Sequence, residues 1–168
     1  SVIDTAKAVN ILVTLGGERL LDHAGAGCLT RPLKPLAAVP TTAGTGSEVT
    51  LVAVIRDEGS GRKVPFTSPF LLPQLAVLDP RLTRGLPLPI TAATAMDAMT
   101  HAIEAFIGPA KNPVSDALAL MAVEKIASAA VVLFGDGPVR ERFNSFARAL
   151  GVDMRPGKGR TPDDTGAD

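Results

Sequence analysis

An aspartate and a histidine four residues apart, Asp97 and His101, are the residues of this sequence best suited to chemistry. They lie in the stretch TAATAMDAMTHAIEAF at positions 91–106, whose apolar spacing predicts a helix. Residues four apart share one face of a helix, so a carboxylate and an imidazole at this spacing can bind the same cation. Taken alone, the pair is equally compatible with an ordinary exposed helix surface.

The helix that carries this pair is predicted to present a core-facing stripe beside it. The predicted helix follows Pro89 and ends near Gly108 and Pro109. A second helix is predicted from Asn112, as the cap, to Phe134. The apolar residues of this stripe recur at three- and four-residue spacing: Met96, Met99, Ile103 and Phe106. The polar residues on the adjacent stripe are Asp97, His101 and Glu104.

A loop rich in threonine and glycine, PTTAGTGSEVT at positions 40–50, is the second stretch with chemical potential. The short apolar run Leu36–Val39 before it predicts a buried strand of a parallel sheet. Gly44 and Gly46 permit close backbone approach to a ligand. Amides and hydroxyls at the carboxyl end of a strand suit phosphate oxygens or a polar ring. Such turns are also common without a function, and the residues alone leave both interpretations open.

The remaining pattern consists of short strands in the first half of the chain and long helices after Pro89. The other predicted elements are a helix over Ser1–Thr14 capped by Ser1 or Asp4, a helical turn and loop over Glu18–Pro35, a hairpin of Leu51–Ile55 and Lys63–Phe66, and a short apolar strand over Gln74–Leu78.

Composition excludes several classes of protein. The 168 residues suffice for one domain or parts of two, with 46% hydrophobic and 20% charged residues. Seventeen basic residues balance seventeen acidic ones, so no overall field favours nucleic acid or an acidic membrane. Glu124 and Lys125 interrupt the most apolar run, 117–134, which predicts no membrane span. A single cysteine, Cys28, and the absence of an apolar leader predict a cytoplasmic protein.

Three stretches in the same order resemble the iron-containing alcohol dehydrogenase family: positions 40–50, LDPRLTRGLP at 78–87, and positions 91–106. The opening SVIDTAKAVN is similar to the end of that family's Gly-Gly-Gly-Ser phosphate loop and the helix behind it. The resemblance extends from Ser1 to about Phe134, and we find none after Gly135.

The resemblance implies an architecture like that of dehydroquinate synthase. Residues 1–87 would form part of an α/β dinucleotide-binding domain, and residues 88–134 the first helices of an all-α metal-binding domain. We expect residues 135–168 to be a divergent tail with one short helix over Arg140–Leu150 and disorder from about Gly151, because that segment has little apolar surface.

The resemblance also implies a nicotinamide-dependent oxidoreductase of small alcohols or aldehydes. NAD or NADP would accept hydride, while Fe²⁺ or Zn²⁺ would polarise the alcohol oxygen. Asp97 and His101 match two of the family's four metal ligands, and no separate general base is evident. The residues implied to bind the dinucleotide are Ser1, Asp4, Thr41, Thr42 and Thr45, with Thr50, Lys63 and Leu82 as their neighbours.

Departures from the family pattern leave other interpretations open. The family's other two metal ligands are histidines further along, yet the sequence has no histidine after His101. The glycines expected before Ser1 are absent, and Ala95 stands where the family usually has glycine. The chain could thus be a truncated, inactive remnant that binds nucleotide or a partner, or its ending could reflect a shifted reading frame. We expect exposed helical faces to favour association, including with a second copy.

Overall fold

The computed structural model describes residues 1–110 and 112–152, and the chain divides into two compact units, Ser1–Pro87 and Leu88–Asp168. The described residues form helices α1 (Val2–Leu15), α2 (Leu88–Ile107), α3 (Pro113–Phe134) and α4 (Pro138–Ala149), and strands β1 (Gly25–Ala26), β2 (Ala37–Ala38), β3 (Val52–Arg56), β4 (Lys63–Thr67) and β5 (Leu75–Ala76). Short 3₁₀ helices lie at Leu20–His23, Ser47–Val49, Pro69–Leu71 and Pro80–Leu82.

The predicted hairpin is present as the antiparallel pair β3 and β4, in which Val52 lies opposite Thr67 and Arg56 opposite Lys63. Strand β4 is central, because β1 pairs with its other edge in parallel. The sequence did not predict β1, since two residues that include a glycine carry no periodic signal. Helix α1 covers the sheet through β3, and Ile11 and Phe66 are fully buried in the core between them.

Helix α1 begins and ends as the sequence predicts. The Ser1 hydroxyl accepts a hydrogen bond from the Asp4 amide at 3.1 Å, and the Asp4 carboxylate accepts one from the Ser1 amino group, which completes a capping box. Gly16 ends the helix with a φ of 77°. Its buried face consists of Lys7, Ala8 and Ile11, whereas Val2, Val9 and Val13 are exposed.

The two apolar runs predicted as strands form a separate two-stranded sheet. Strands β2 and β5 pair in parallel over two residues each, so the parallel arrangement is confirmed. Their flanks are exposed, with Leu78 at 68% and Val39 at 48%. Within the described chain each of these strands has one strand neighbour, which leaves one edge unpaired. The prediction of a buried strand over Leu36–Val39 is therefore wrong, since only Ala38 of these four residues is buried, whereas the strand predicted over Gln74–Leu78 is present as β5.

The second unit is a bundle of α2, α3 and α4 around one core. The predicted stripe of α2 faces this core, with Met99 fully buried and Met96 and Ile103 packed against it. Helix α3 begins at the predicted cap, where the Asn112 side chain accepts a hydrogen bond from the Val114 amide. The core contains Met99, Ala102, Val123, Ala127, Ala130, Phe143 and Ala147.

Helix α4 packs into the core of the second unit. Its residues Phe143 and Ala147 are fully buried, and the Phe143 ring stacks on Phe134 of α3 with centroids 6.3 Å apart. Residues 138–149, which were expected to belong to a divergent tail, thus contribute to the core of the second unit. The prediction of one helix over Arg140–Leu150 is right within two residues, and the predicted disorder beyond 152 lies outside the described residues.

Helix α3 is long and apolar enough, by length and composition alone, to cross a membrane, with a mean hydropathy of 2.0. The charges of Glu124 and Lys125, from which no membrane span was predicted, therefore do not exclude one by composition. Core helices of soluble proteins have the same composition. Here Val123, Ala127 and Ala130 lie buried in the core that α3 shares with α2 and α4, so this face of the helix has a partner within the protein.

Candidate functional site

The threonine-rich loop, residues 40–50, runs from the end of β2 to the start of β3. Gly46 has a φ of 67°, a left-handed conformation that glycine adopts without strain, and it precedes the short helix Ser47–Val49. The Val49 amide donates to the Gly46 carbonyl at 3.0 Å. The glycine identified in the sequence thus serves a turn that directs residues 47–49 towards α1.

Asp4 connects α1 to this loop. The Ser47 hydroxyl, on a buried side chain, donates to Asp4 Oδ1 at 2.5 Å, while Oδ2 receives the Ser1 amino group at 3.1 Å. The structure therefore brings Ser1 and Asp4, both implied in phosphate binding, next to the second candidate loop. The Asp4 carboxylate therefore contacts both the chain start at Ser1 and the loop at Ser47.

A cleft of about 340 Å³ lies beside the loop. It joins two of the stretches that carried the resemblance, positions 40–50 and 78–87. Its lining is formed by Pro40, Thr42, Ala43, Gly44, Glu48, Leu78, Asp79, Pro80 and Thr83. Pockets of 300 to 1,000 Å³ with a few polar groups are typical of small-molecule sites in proteins.

The polar groups of the cleft are anchored to different degrees. Asp79 caps the turn Pro80–Leu82, and the Arg81 guanidinium contacts both of its carboxylate oxygens at 2.7–3.0 Å. The hydrogen bond from this guanidinium holds the pKa of Asp79 below its ordinary value and raises that of Arg81. Glu48 Oε2 is buried without a hydrogen-bond partner among residues 1–110 and 112–152.

The other predicted dinucleotide residues fall into two groups. Thr45 lies in the loop, where its hydroxyl accepts from the Ser47 amide at 3.4 Å, and Thr41 is exposed beside Thr42. Leu82 is 45% exposed in the turn after the cleft residue Pro80.

Thr50 and Lys63 lie at opposite ends of the hairpin. Thr50 precedes β3, and Lys63 is exposed opposite Arg56 at the far end of that strand. Arg56 lies six residues after Thr50, which is roughly 20 Å at the usual rise of a strand. Within the first unit, Lys63 is therefore not brought to the cleft with the threonines.

Asp97 and His101 lie side by side on α2, as predicted. The distance from Asp97 Oδ1 to His101 Nε2 is 3.9 Å, and the side chains are 48% and 53% exposed. Both can therefore turn towards a shared ion. Within residues 1–110 and 112–152, however, no group of three or more His, Cys, Asp or Glu side chains could hold a metal ion. The described part of the chain thus supplies two ligand positions.

Sequence reasoning missed Lys7, Ser47, Glu48 and Thr83. Lys7 is fully buried on α1, and its ammonium donates to the Thr50 carbonyl at 2.7 Å and the Val52 carbonyl at 2.9 Å. The sequence did contain a signal for this burial, because Lys7 lies on the same helix face as Ala8 and Ile11.

Comparison with known proteins decides the family. The model of the iron-containing alcohol dehydrogenase family matches residues 1–80, and the model of that family's C-terminal part matches residues 91–151. The chain belongs to the iron-containing alcohol dehydrogenase family. The α/β fold predicted from the resemblance is confirmed, because solved structures of this family match the chain. The second match also corrects the expectation that the family likeness ends near Phe134.

Two curated relatives and one solved structure illustrate this membership. The chain is 48% identical to the probable alcohol dehydrogenase EutG of Escherichia coli K12 over 75% of this chain and 32% of that one. It is 42% identical to the NAD-dependent methanol dehydrogenase of Bacillus methanolicus over 73% and 32%. Sulfoacetaldehyde reductase from Bifidobacterium kashiwanohense, solved with NAD⁺, matches with a TM-score of 0.63, 33% identity and coverage of 89% and 40%. The chain thus spans about a third of the curated relatives' length.

Proposed function

We propose that this member of the alcohol dehydrogenase family contributes a nicotinamide-dinucleotide cleft and two metal ligands to an oxidoreductase that transfers hydride between a small alcohol and an aldehyde. The observation that carries the proposal is the cleft between positions 40–50 and 78–87, which presents hydroxyls, backbone amides and carboxylates on one concave surface.

The cleft offers the groups that a dinucleotide needs. Backbone amides near Gly44 and the Thr42 hydroxyl can donate to phosphate oxygens. Glu48 lines the cleft, and its carboxylate can accept a hydrogen bond from a ribose hydroxyl or a ring amino group. The Arg81 contact offsets the charge of Asp79, which limits repulsion of phosphate.

The names of relatives guide the choice of cofactor and substrate. One relative is an NAD-dependent methanol dehydrogenase, and the solved sulfoacetaldehyde reductase contains NAD⁺. Other relatives are a 1,3-propanediol dehydrogenase and a 4-hydroxybutyrate dehydrogenase. Methanol, 1,3-propanediol and 4-hydroxybutyrate all carry a hydroxyl on a terminal carbon. We therefore propose NAD rather than NADP, and alcohols with a terminal hydroxyl as substrates.

Asp97 and His101 fit two positions of a divalent metal site, because both are exposed and one helical turn apart. A bound iron or zinc ion would supply Lewis acidity towards the alcohol oxygen. The contribution of these two residues is to hold such an ion at a fixed place on α2. The dinucleotide cleft, in turn, orients the ring that receives hydride.

A second candidate function is nucleotide binding without turnover. It is favoured by the pair of ligands on α2, since catalytic metal sites commonly use three protein ligands and the described residues provide no such group. Turnover separates the two candidates. NAD binding together with NADH formation from 1,3-propanediol after loading with Fe²⁺ supports the oxidoreductase, and NAD binding without NADH formation supports the binding remnant.

Titration calorimetry with NAD⁺ tests the cleft, with NADP⁺ in parallel. We expect saturable binding of NAD⁺ that weakens about three- to tenfold in Thr42→Val, because the loss of one hydrogen bond costs about 0.5–1.5 kcal/mol. Thr30→Val is the matched control, since Thr30 is exposed and outside the cleft lining. No binding at millimolar NAD⁺, or equal weakening by both variants, would contradict the assignment.

The metal pair is tested by replacing His101 with alanine. We expect weak Zn²⁺ binding by the wild-type chain and affinity lower by about tenfold or more in His101→Ala, since even outer-sphere partners of a metal contribute about 10- to 100-fold. Competition with a chromophoric indicator measures this affinity. His23→Ala is the control, because the sequence has two histidines and His23 contacts the Gly16 carbonyl. Equal Zn²⁺ affinity in wild type and His101→Ala would contradict the proposal that Asp97 and His101 bind a metal ion together.

A further inference from the structure

Lys7 is unusual because its entire side chain is buried, at 0% exposure. Lysine is almost never fully buried unless it is paired. The Lys7 ammonium has three acceptors within reach: the Thr50 carbonyl at 2.7 Å, the Val52 carbonyl at 2.9 Å and the Thr50 hydroxyl at 3.3 Å. An ammonium has three protons to donate, so its hydrogen-bonding capacity is matched.

The acceptors of Lys7 lie where the threonine-rich loop becomes strand β3. One turn earlier on α1, Asp4 accepts from Ser47 at 2.5 Å. Helix α1 therefore holds the loop at two points, Ser47 and Thr50, and the segment between them contains Glu48, which lines the cleft. Displacing either contact would move Glu48 and the adjoining backbone relative to the cleft.

Its burial excludes Lys7 from direct contact with a ligand, so any role must act through the loop. The two nearby carboxylates, Asp4 and Glu48, favour the charged form of Lys7, while burial opposes it. Methionine has a similar length and would fill the same space, but it would leave the Thr50 and Val52 carbonyls without their charged donor. The ammonium of Lys7 therefore does more than fill space in the core, because it holds the Thr50 and Val52 carbonyls in place by hydrogen bonds.

We propose that Lys7 is a positioning residue that fixes the threonine-rich loop through Thr50 and Val52 and thereby sets the affinity of the cleft for a dinucleotide. The effect on affinity rests on the proposed function, whereas the ordering of the loop can be measured without any nucleotide.

The test compares Lys7→Met with two controls in the full chain. Lys34→Met makes the same substitution at an exposed lysine, and Ile11→Ala destabilises the same helix through its fully buried core residue without touching the loop contacts. Two quantities are measured: NAD⁺ affinity by calorimetry, and amide hydrogen exchange of the peptide covering residues 40–50 without nucleotide. If Lys7→Met does not fold, Lys7→Gln, which retains two donors, takes its place.

We expect Lys7→Met to weaken NAD⁺ binding at least about tenfold and to accelerate exchange in residues 40–50 more than in the rest of the first unit. Ile11→Ala should accelerate exchange across the unit without this bias, and Lys34→Met should resemble wild type. If Lys7→Met and Ile11→Ala have the same exchange pattern and NAD⁺ affinity, Lys7 is a core residue only and the proposal is overturned. If wild type does not bind NAD⁺ but Lys7→Met still shows faster exchange mainly in residues 40–50, the proposed function is wrong. The positioning of the loop by Lys7 would then be supported on its own.

Discussion

Replacing Phe143 with alanine should lower the free energy of unfolding of the helical unit by about 3–5 kcal/mol. The side chain is fully buried among Met99, Val123 and Ala127, and its ring stacks on Phe134. Removing the ring takes away its buried apolar area and leaves a cavity that the surrounding helices can close only in part. Helix α4 would lose its main anchor to α3.

Amide hydrogen exchange of peptides from α2 and α3 measures this loss without requiring the two units to unfold together. A loss of about 3 kcal/mol corresponds to exchange roughly 150-fold faster in the most protected amides. Phe146→Ala is the matched control, because Phe146 lies on the same helix and is 42% exposed. Its effect should stay near about 0.5 kcal/mol. Equal exchange in both variants would show that α4 does not stabilise the core.

The sequence predicts best the elements whose signals are local and repeated. Helix α2 has a regular apolar stripe, and α3 has a cap at Asn112 followed by proline, so type and position were both readable. Asp97 and His101 were placed correctly on one face for the same reason, since a fixed helical period determines which residues are neighbours. Helix geometry thus makes these two side chains neighbours before any tertiary contact forms.

Features that depend on contacts distant in sequence were not readable. The ladder between β1 and β4 joins residues about forty positions apart, and β2 and β5 keep exposed flanks although their sequences are apolar. The cleft is likewise formed by positions 40–50 and 78–87 together. Lys7 is the clearest case, because only its partners on the loop, Thr50 and Val52, explain why a charge lies on the buried face of α1.

Raising the pH from 7 towards 10.5 is expected to stabilise the wild-type chain relative to Lys7→Met. Burial lowers the pKa of Lys7 below its ordinary value of 10.5, and the charges of Asp4 and Glu48 offset this only in part. Between the lowered pKa and 10.5, the unfolded chain binds more protons at this position than the folded chain, so the free energy of unfolding rises with pH. Below the folded-state pKa, both states hold the proton and the difference between the two proteins is constant.

Urea unfolding followed by far-ultraviolet circular dichroism at several pH values between 7 and 10.5 measures this difference. Other titrating groups cancel when the variant is subtracted from wild type, and the sequence contains no tyrosine to titrate in this window. The carboxylates whose charges act on Lys7 are those of Asp4 and Glu48. Lys34→Met, at an exposed position, should differ from wild type by a constant amount. The opposite outcome is a difference in the free energy of unfolding between wild type and Lys7→Met that stays constant or falls as the pH rises. It would mean that folding leaves the proton affinity of Lys7 unchanged or higher. The contacts to Thr50 and Val52 would then stabilise the charge of Lys7 at least as well as water does.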